Sequence, residues 1–183
     1  KVDTANPSSS FGVNSSTGGS NGWYKALSIK VSLSDSHSGA RSAKYCTTTG
    51  STCTPGTTAT ISSNAYTVTL GNNGSAQRVC SQVTDNAGKT SSVQCSGTYK
   101  VDGSTPSNGS IAIASSTLGN QVNTGTIISP VYRQWYKALS LKVSSLSDGH
   151  SGVSSAKYCI TTSSTCTPST TASISSNSFS VTV

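Results

Sequence analysis

The chain has no glutamate and no methionine, and its 183 residues include only five aspartates, two histidines, two tryptophans and two phenylalanines. With no Glu and with Asp scattered singly, paired-carboxylate chemistry such as glycoside hydrolysis has almost nothing to work with. Serine is abundant, but neither histidine can be assigned to a Ser-His-Asp triad and no G-x-S-x-G elbow occurs. Catalysis has no support, and no enzyme is expected. No run of 18 apolar residues exists, so no helical membrane span is expected. There is no C-x2-C pair and no His at zinc spacing, so neither a metal nor a cofactor is expected. Basic residues stand singly, without aromatic interleaving, which argues against a nucleic-acid partner. No signal peptide is visible. The chain begins at Lys1, not at Met, and reads as a mature fragment.

What is abundant is Ser and Thr, 67 positions in all, against 31 for Leu, Ile, Val and Phe together. So low an apolar content borders on that of disordered chains, but disorder usually also needs high charge density, and only 9% of residues are charged. The net charge of +7 divides as +5 over residues 1–101 and +2 over 102–183. It supports at most a mild attraction to anionic envelopes or acidic glycans.

The dominant feature is an internal repeat. Residues 23–53, WYKALSIKVSLSDSHSGARSAKYCTTTGSTC, return at 135–166 as WYKALSLKVSSLSDGHSGVSSAKYCITTSSTC. The offset is 112 at the tryptophans and 113 at the cysteines, because Ser144-Ser145 replaces the single Ser32. A period near one hundred residues reads as two homologous domains in series, 1–101 and 102–183. Lys1-Val2-Asp3 matches Lys100-Val101-Asp102, and 178–183 matches 65–70. Nothing after residue 183 answers to 71–99, so both ends look cut from a longer array and the second repeat reads as incomplete.

Leu27, Ile29, Val31 and Leu33 alternate with Ser28, Lys30, Ser32 and Ser34, a period of two with one apolar face. Tyr66, Val68 and Leu70 alternate likewise. Two further strands are expected at 76–84 and 90–101 around the Asp85-Asn86-Ala87-Gly88-Lys89 turn, with a short edge strand near Phe11-Gly12-Val13. Short strands at this spacing, without helical periodicity, predict an all-β chain of sandwich domains. The expected core is Leu27, Ile29, Val31, Tyr45, Val68, Val79 and Val83, with Leu139, Leu141, Val143 and Tyr158 as counterparts. The second repeat enters through 32 residues between Asp102 and Trp135, where the first has 19 between Asp3 and Trp23. Residues 104–134 therefore read as an enlarged entry loop, with Ile111-Ala112-Ile113-Ala114 and Thr126-Ile127-Ile128 suggesting a longer first strand beside it.

Six cysteines in a Ser/Thr-rich β chain suggest disulfides and an oxidising compartment. Centring the hairpin between Ala87 and Gly88 sets Cys80 opposite Cys95, while Cys46 and Cys53 flank a short Thr/Gly loop. Cys159 and Cys166 recur without the other two, which favours local pairing: Cys46–Cys53, Cys80–Cys95 and Cys159–Cys166. An inter-sheet link from Cys46 to Cys80 stays open. Loop entropy would give the two spacings about 2.5 and about 3 kcal/mol, large beside a small core.

Other candidates have simpler readings beside the functional ones. His37 and His150 follow Asp35 and Asp148 in equivalent turns; Asp and His could offer two ligands to a metal, but no third is evident, and a solvated turn residue is the simpler reading. Trp23 and Trp135 could stack sugar rings or anchor a strand at the edge of a core. Tyr132 and Arg133, beside Trp135, complete the candidate ligand contacts. Asn14, Asn73 and Asn108 open N-x-S sequons. Lys25 and Lys137 recur at one position as solvated lysines.

The motif Lys100-Val101-Asp102 with Pro106, SDSHSG at 34–39 and VTDNAGKTSS at 83–92 together resemble the tandem bacterial immunoglobulin-like repeats of long surface proteins. The last motif looks like the family's TDxAGNxS hairpin, with Lys89 where Asn is usual. The resemblance covers the first repeat and the surviving part of the second. It implies immunoglobulin-like β-sandwiches, stapled here by disulfides, serving as non-catalytic structural or adhesive modules of an extracellular surface protein, stalk or fibre. Partners would be neighbouring repeats, other copies in a fibre, and a glycan or host-surface ligand. The rival expectations are a carbohydrate-binding or spacer module of a secreted enzyme, and a phage surface or tail domain. An exposed row of aromatics would favour the sugar binder, and a buried Trp on a polar surface the stalk.

Overall fold

The computed structural model describes residues 2–71, 73–123 and 132–183, and side chains throughout these except at 120–123 and 132–135. Among the described residues there is no helix; every regular element is a strand. The chain divides into two compact units, Lys1–Ser104 and Thr105–Val183.

In the first unit, β1 (Ser8–Gly18) and β2 (Trp23–Ser34) form a long antiparallel pair. Their turn places Asn21 and Gly22 at positive φ, the backbone that a tight hairpin needs and that Asn and Gly adopt most readily. The edge strand expected around Phe11 is thus eleven residues long. On the other side of β2 lies β5 (Ala65–Leu70), with Leu27 opposite Leu70, Ile29 opposite Val68 and Val31 opposite Tyr66. The period-two pattern thereby turns both sets of apolar side chains to the same face.

The opposing face comes from β3 (Ala40–Thr48), β4 (Thr57–Thr58) and β6 (Gly74–Asp85). β6 is shared between two ladders. Its early residues pair with β8 (Tyr99–Val101) and its later ones with β3 and with β7 (Gln94–Cys95). β8 also runs parallel to the start of β2, which closes the connection between ladders. The expected long strand at 90–101 is therefore two short ones. One core results: Leu27, Ile29, Val31, Leu33, Ala43, Tyr66, Val68, Leu70, Val79, Val83 and Val101. Tyr45, expected in it, packs against it only half-buried.

The second unit repeats part of this plan. β9 (Ser110–Asn123) pairs with β10 (Tyr132–Ser144), and β10 with β13 (Phe179–Thr182). Leu141 faces Val181 and Val143 faces Phe179, the positions of Ile29/Val68 and Val31/Tyr66. β11 (Ala156–Tyr158) pairs with β12 (Thr170–Ala172) in the register of β3 with β4. The turns Ser63-Asn64 and Ser176-Asn177 carry the same positive φ angles, and each second residue accepts a hydrogen bond from the amide of Leu33 or Leu146.

Residues 104–134, read from sequence as a longer first strand with an enlarged entry loop, contain the fourteen-residue β9 and the start of β10, while 124–131 lie outside the described residues. The longer strand is thus present around Ile111 and Ile113 and stays paired with β10 as far as Asn123. The inserted residue is absorbed by Ser145, which turns to φ 61°. This returns Leu146 to the interior at 5% exposure, beside 6% for its counterpart Leu33. Gly109, also at positive φ, cannot carry a side chain, because a Cβ there would overlap the Ser144 carbonyl.

No described strand of the second unit answers to β6, β7 or β8. Among the described residues its buried core is Leu146, Phe179 and Val181. Leu139, Leu141 and Val143, expected as core, are half-exposed because no described layer covers them as one covers Leu27, Ile29 and Val31, and Tyr158, also expected as core, is half-buried like its counterpart Tyr45.

Candidate functional site

All six cysteines are bridged, in the local pattern Cys46–Cys53, Cys80–Cys95 and Cys159–Cys166. Cys80 and Cys95 face each other across β6 and β7, as the hairpin arithmetic predicts, although next to the turn the pairing slips to Thr84 opposite Thr90. Cys46 also lies opposite Cys80 on β3. The sulfurs of Cys46, Cys53 and Cys80 lie within 4.8 Å of one another, but none is a free thiolate able to hold a metal.

The described aromatic side chains are spent on packing, except Tyr136 on β10, which is exposed. Trp23 is half-buried at the start of β2, with the Lys100 ammonium 5.9 Å from its ring centroid. Tyr24 meets Tyr99 edge to face at 6.5 Å, so two successive residues of β2 grip β8. Tyr66 donates a 2.8 Å hydrogen bond to the buried Ser81 hydroxyl, and burial pushes its phenol pKa upward. In the second unit Tyr158 stacks on Phe179 at 5.9 Å. The side chains of Tyr132, Arg133 and Trp135 lie outside the described residues, so that predicted contact cluster is not built here.

Each unit has a shallow hollow of about 200 Å³ at the same place. One is lined by residues such as Ser15, Thr17, Leu27 and Thr69, the other by Ser115, Thr117, Leu139 and Thr182. Both sit beside the bulge that leaves out Asn14 or Ala114. No titratable side chain lines either hollow.

The chemistry-bearing cluster lies elsewhere. Asp35 opens the D-S-H-S-G turn, and its Oδ1 accepts hydrogen bonds from the amides of His37, Ser38 and Gly39 at 3.1, 2.8 and 2.9 Å. Asp148 does the same for His150, Ser151 and Gly152, so the aspartate organises the turn. His37 is solvated, 63% exposed, with Nδ1 2.8 Å from the Ser36 hydroxyl and 3.9 Å from Asp3. The sequence offered no third partner for that turn. The fold supplies two: Asp3, from the entry segment, and Asp85, from the end of β6.

Asp3 Oδ2 accepts from the Ser38 amide at 3.1 Å and its Oδ1 from the Ala5 amide at 2.9 Å. Asp85 Oδ1 accepts from the Lys89 amide at 2.8 Å, inside the Asp85-to-Lys89 turn. One carboxylate oxygen from each of Asp3, Asp35 and Asp85 lies within 4.8 Å of the other two. Asp85 is fully buried and the Asp3 side chain nearly so, at 6% exposure. Oδ2 of Asp35 and Oδ2 of Asp85 are buried with no hydrogen-bond partner. Hydrogen bonding, from Ser38 to Asp3 and chiefly from Gly39 to Asp35, holds both carboxyls below the usual range. The sequence signal was present in part: the Asp3 and Asp35 positions recur as Asp102 and Asp148, whereas Asp85 has no matching residue among 105–183. Comparison with protein-family models, curated proteins and solved structures finds no match to this chain.

Proposed function

We propose that the chain is a pair of immunoglobulin-like β-sandwich modules that serve as structural or adhesive repeats of an extracellular surface protein, stalk or fibre. The observation that carries this reading is the use made of the aromatic rings. Among the described side chains all but one grip neighbouring strands or pack on a core; Tyr136 alone is exposed, and no exposed row suited to stacking sugar rings is formed. The three disulfides support an oxidising, extracellular-type environment, and no described helix is long and apolar enough to cross a membrane. Away from the core, the central strands β2 and β5 present Ser28, Lys30, Ser32, Thr67 and Thr69, a polar face suited to spacing and presentation rather than to enclosing a substrate.

The test has two arms. In single-molecule pulling, the chain under oxidising conditions gives a discrete unfolding event for the first unit, whose extension lengthens after reduction as the disulfide-closed loops are released. On a glycan array the chain shows no saturable binding. Saturable carbohydrate binding that Trp23→Ala abolishes would replace this reading with that of a carbohydrate-binding module.

A further inference from the structure

We propose that Asp3, Asp35 and Asp85 form a binding site for a hard divalent cation of the calcium class, fastening the entry segment of the first unit to two of its turns. This goes beyond the structural role proposed above and does not depend on it. The three carboxylates come from positions far apart in the chain, yet one oxygen of each falls within 4.8 Å of the other two. At that span a central point lies no more than about 2.8 Å from each oxygen, close to the usual calcium–oxygen distance of about 2.3–2.6 Å.

Proximity of acidic groups alone would mean little. The second, independent observation is that Asp85 is wholly buried and its Oδ2 has no hydrogen-bond partner, as is also true of the buried Oδ2 of Asp35. A buried carboxylate oxygen without a donor is costly, because it has lost its water and gained nothing in return. Two such oxygens in one three-carboxylate cluster need a shared positive partner. No lysine or arginine among the described residues makes an ion pair with any of the three. The nearby Lys89 ammonium instead donates to the Thr4 carbonyl, and His37 is mostly solvated.

The donor set is all oxygen, which selects a hard cation over zinc or copper. Asp3 and Asp35 accept hydrogen bonds from the amides of Ala5 and Ser38 and from those of the turn, which hold these two carboxylates in place before any ion arrives. The ligands join a segment outside any strand (Asp3), the turn after β2 (Asp35) and the end of β6 (Asp85). Cation binding would therefore stiffen the point where the chain enters the unit.

The experiment uses the full chain, stripped with a chelator, titrated with calcium by calorimetry and melted with and without the ion. One calcium per first unit is expected, with a melting temperature several degrees higher in millimolar calcium than in chelator, and a smaller response to magnesium. Asp3→Asn, which lies outside the strands and leaves the core intact, should weaken binding at least tenfold. Asp85→Asn should abolish the calcium response and, by removing a repelling charge, melt higher than the parent chain in chelator. No binding heat and no calcium-dependent melting in the parent chain would overturn the proposal. So would calcium binding that Asp3→Asn and Asp85→Asn leave untouched.

Discussion

Ile29 and Leu141 hold the same place in two copies of one strand, each opposite a valine of the neighbouring strand. Ile29 is fully buried, whereas Leu141 is half-exposed. The difference lies in what stands across from them. In the first unit β6 brings Val79, Val83 and the buried Ser81 over the apolar face of β2 and β5. No described strand of the second unit does this. The same absence shortens β11: its counterpart β3 is nine residues long because it pairs with β6 throughout, while β11 keeps only the three residues that pair with β12. An amphipathic strand thus specifies which side faces inward, but its burial depends on a second layer.

The largest expected effect tests that contrast directly. Leu27→Ala removes a side chain that is 1% exposed and should cost about 2–5 kcal/mol of first-unit stability, the range for a buried Leu truncation. Leu139→Ala, at the equivalent and half-exposed position, should cost less than half as much. Denaturant melts of the two variants give the comparison. An equal cost would mean that the second face is covered in solution.

Disulfide removal sharpens it at the next scale. Replacing Cys80 and Cys95 by serine opens the longer loop and should cost about 3 kcal/mol, against about 2.5 for Cys159 and Cys166. Thermal melts check the costs. Non-reducing peptide mapping checks the pairing, and a Cys46-to-Cys80 peptide would contradict it.

The smallest effect concerns one oxygen. Tyr66→Phe deletes the hydroxyl that bonds Ser81 and should cost about 1 kcal/mol, since it leaves a buried serine without that partner. Nature has already placed Phe179 at the corresponding site, where no described residue plays the part of Ser81. Phe179→Tyr should therefore be close to neutral if its new hydroxyl reaches water. A gain as large as the Tyr66 loss would point to an unseen partner over the second unit.

Much of the fold was legible because it is local. The alternation at 27–33 and 65–70 determined strand and facing, since a period of two can bury only one side. The cysteine spacings determined the bridges, because short loops and a hairpin bring those sulfurs together before the rest of the chain matters. Tyr45 was misjudged for a related reason: alternation marks the inward side, but a residue near the margin of the layer stays partly wet. In the stretch at 104–134 the run Ile111 to Ala114 marks a strand, but its extent is not local, since β10 offers the following backbone groups a ladder as far as Asn123.

The candidate cation site shows where sequence reading stops. That Asp35 begins a turn followed from its neighbours Ser36 to Gly39, and the recurrence of Asp148 in the same setting reinforced it. That Asp3 and Asp85 would meet it did not follow, because the separation of 32 residues closes when β1 pairs with β2 and that of 50 when β6 pairs with β3. Local chemistry, which acts between residues a few positions apart, was determined by the sequence itself. The gathering of three carboxylates, and the burial of one leucine-rich strand but not its copy, were decided by the tertiary structure, because proximity and exclusion of water depend on which distant strands come to lie across from one another.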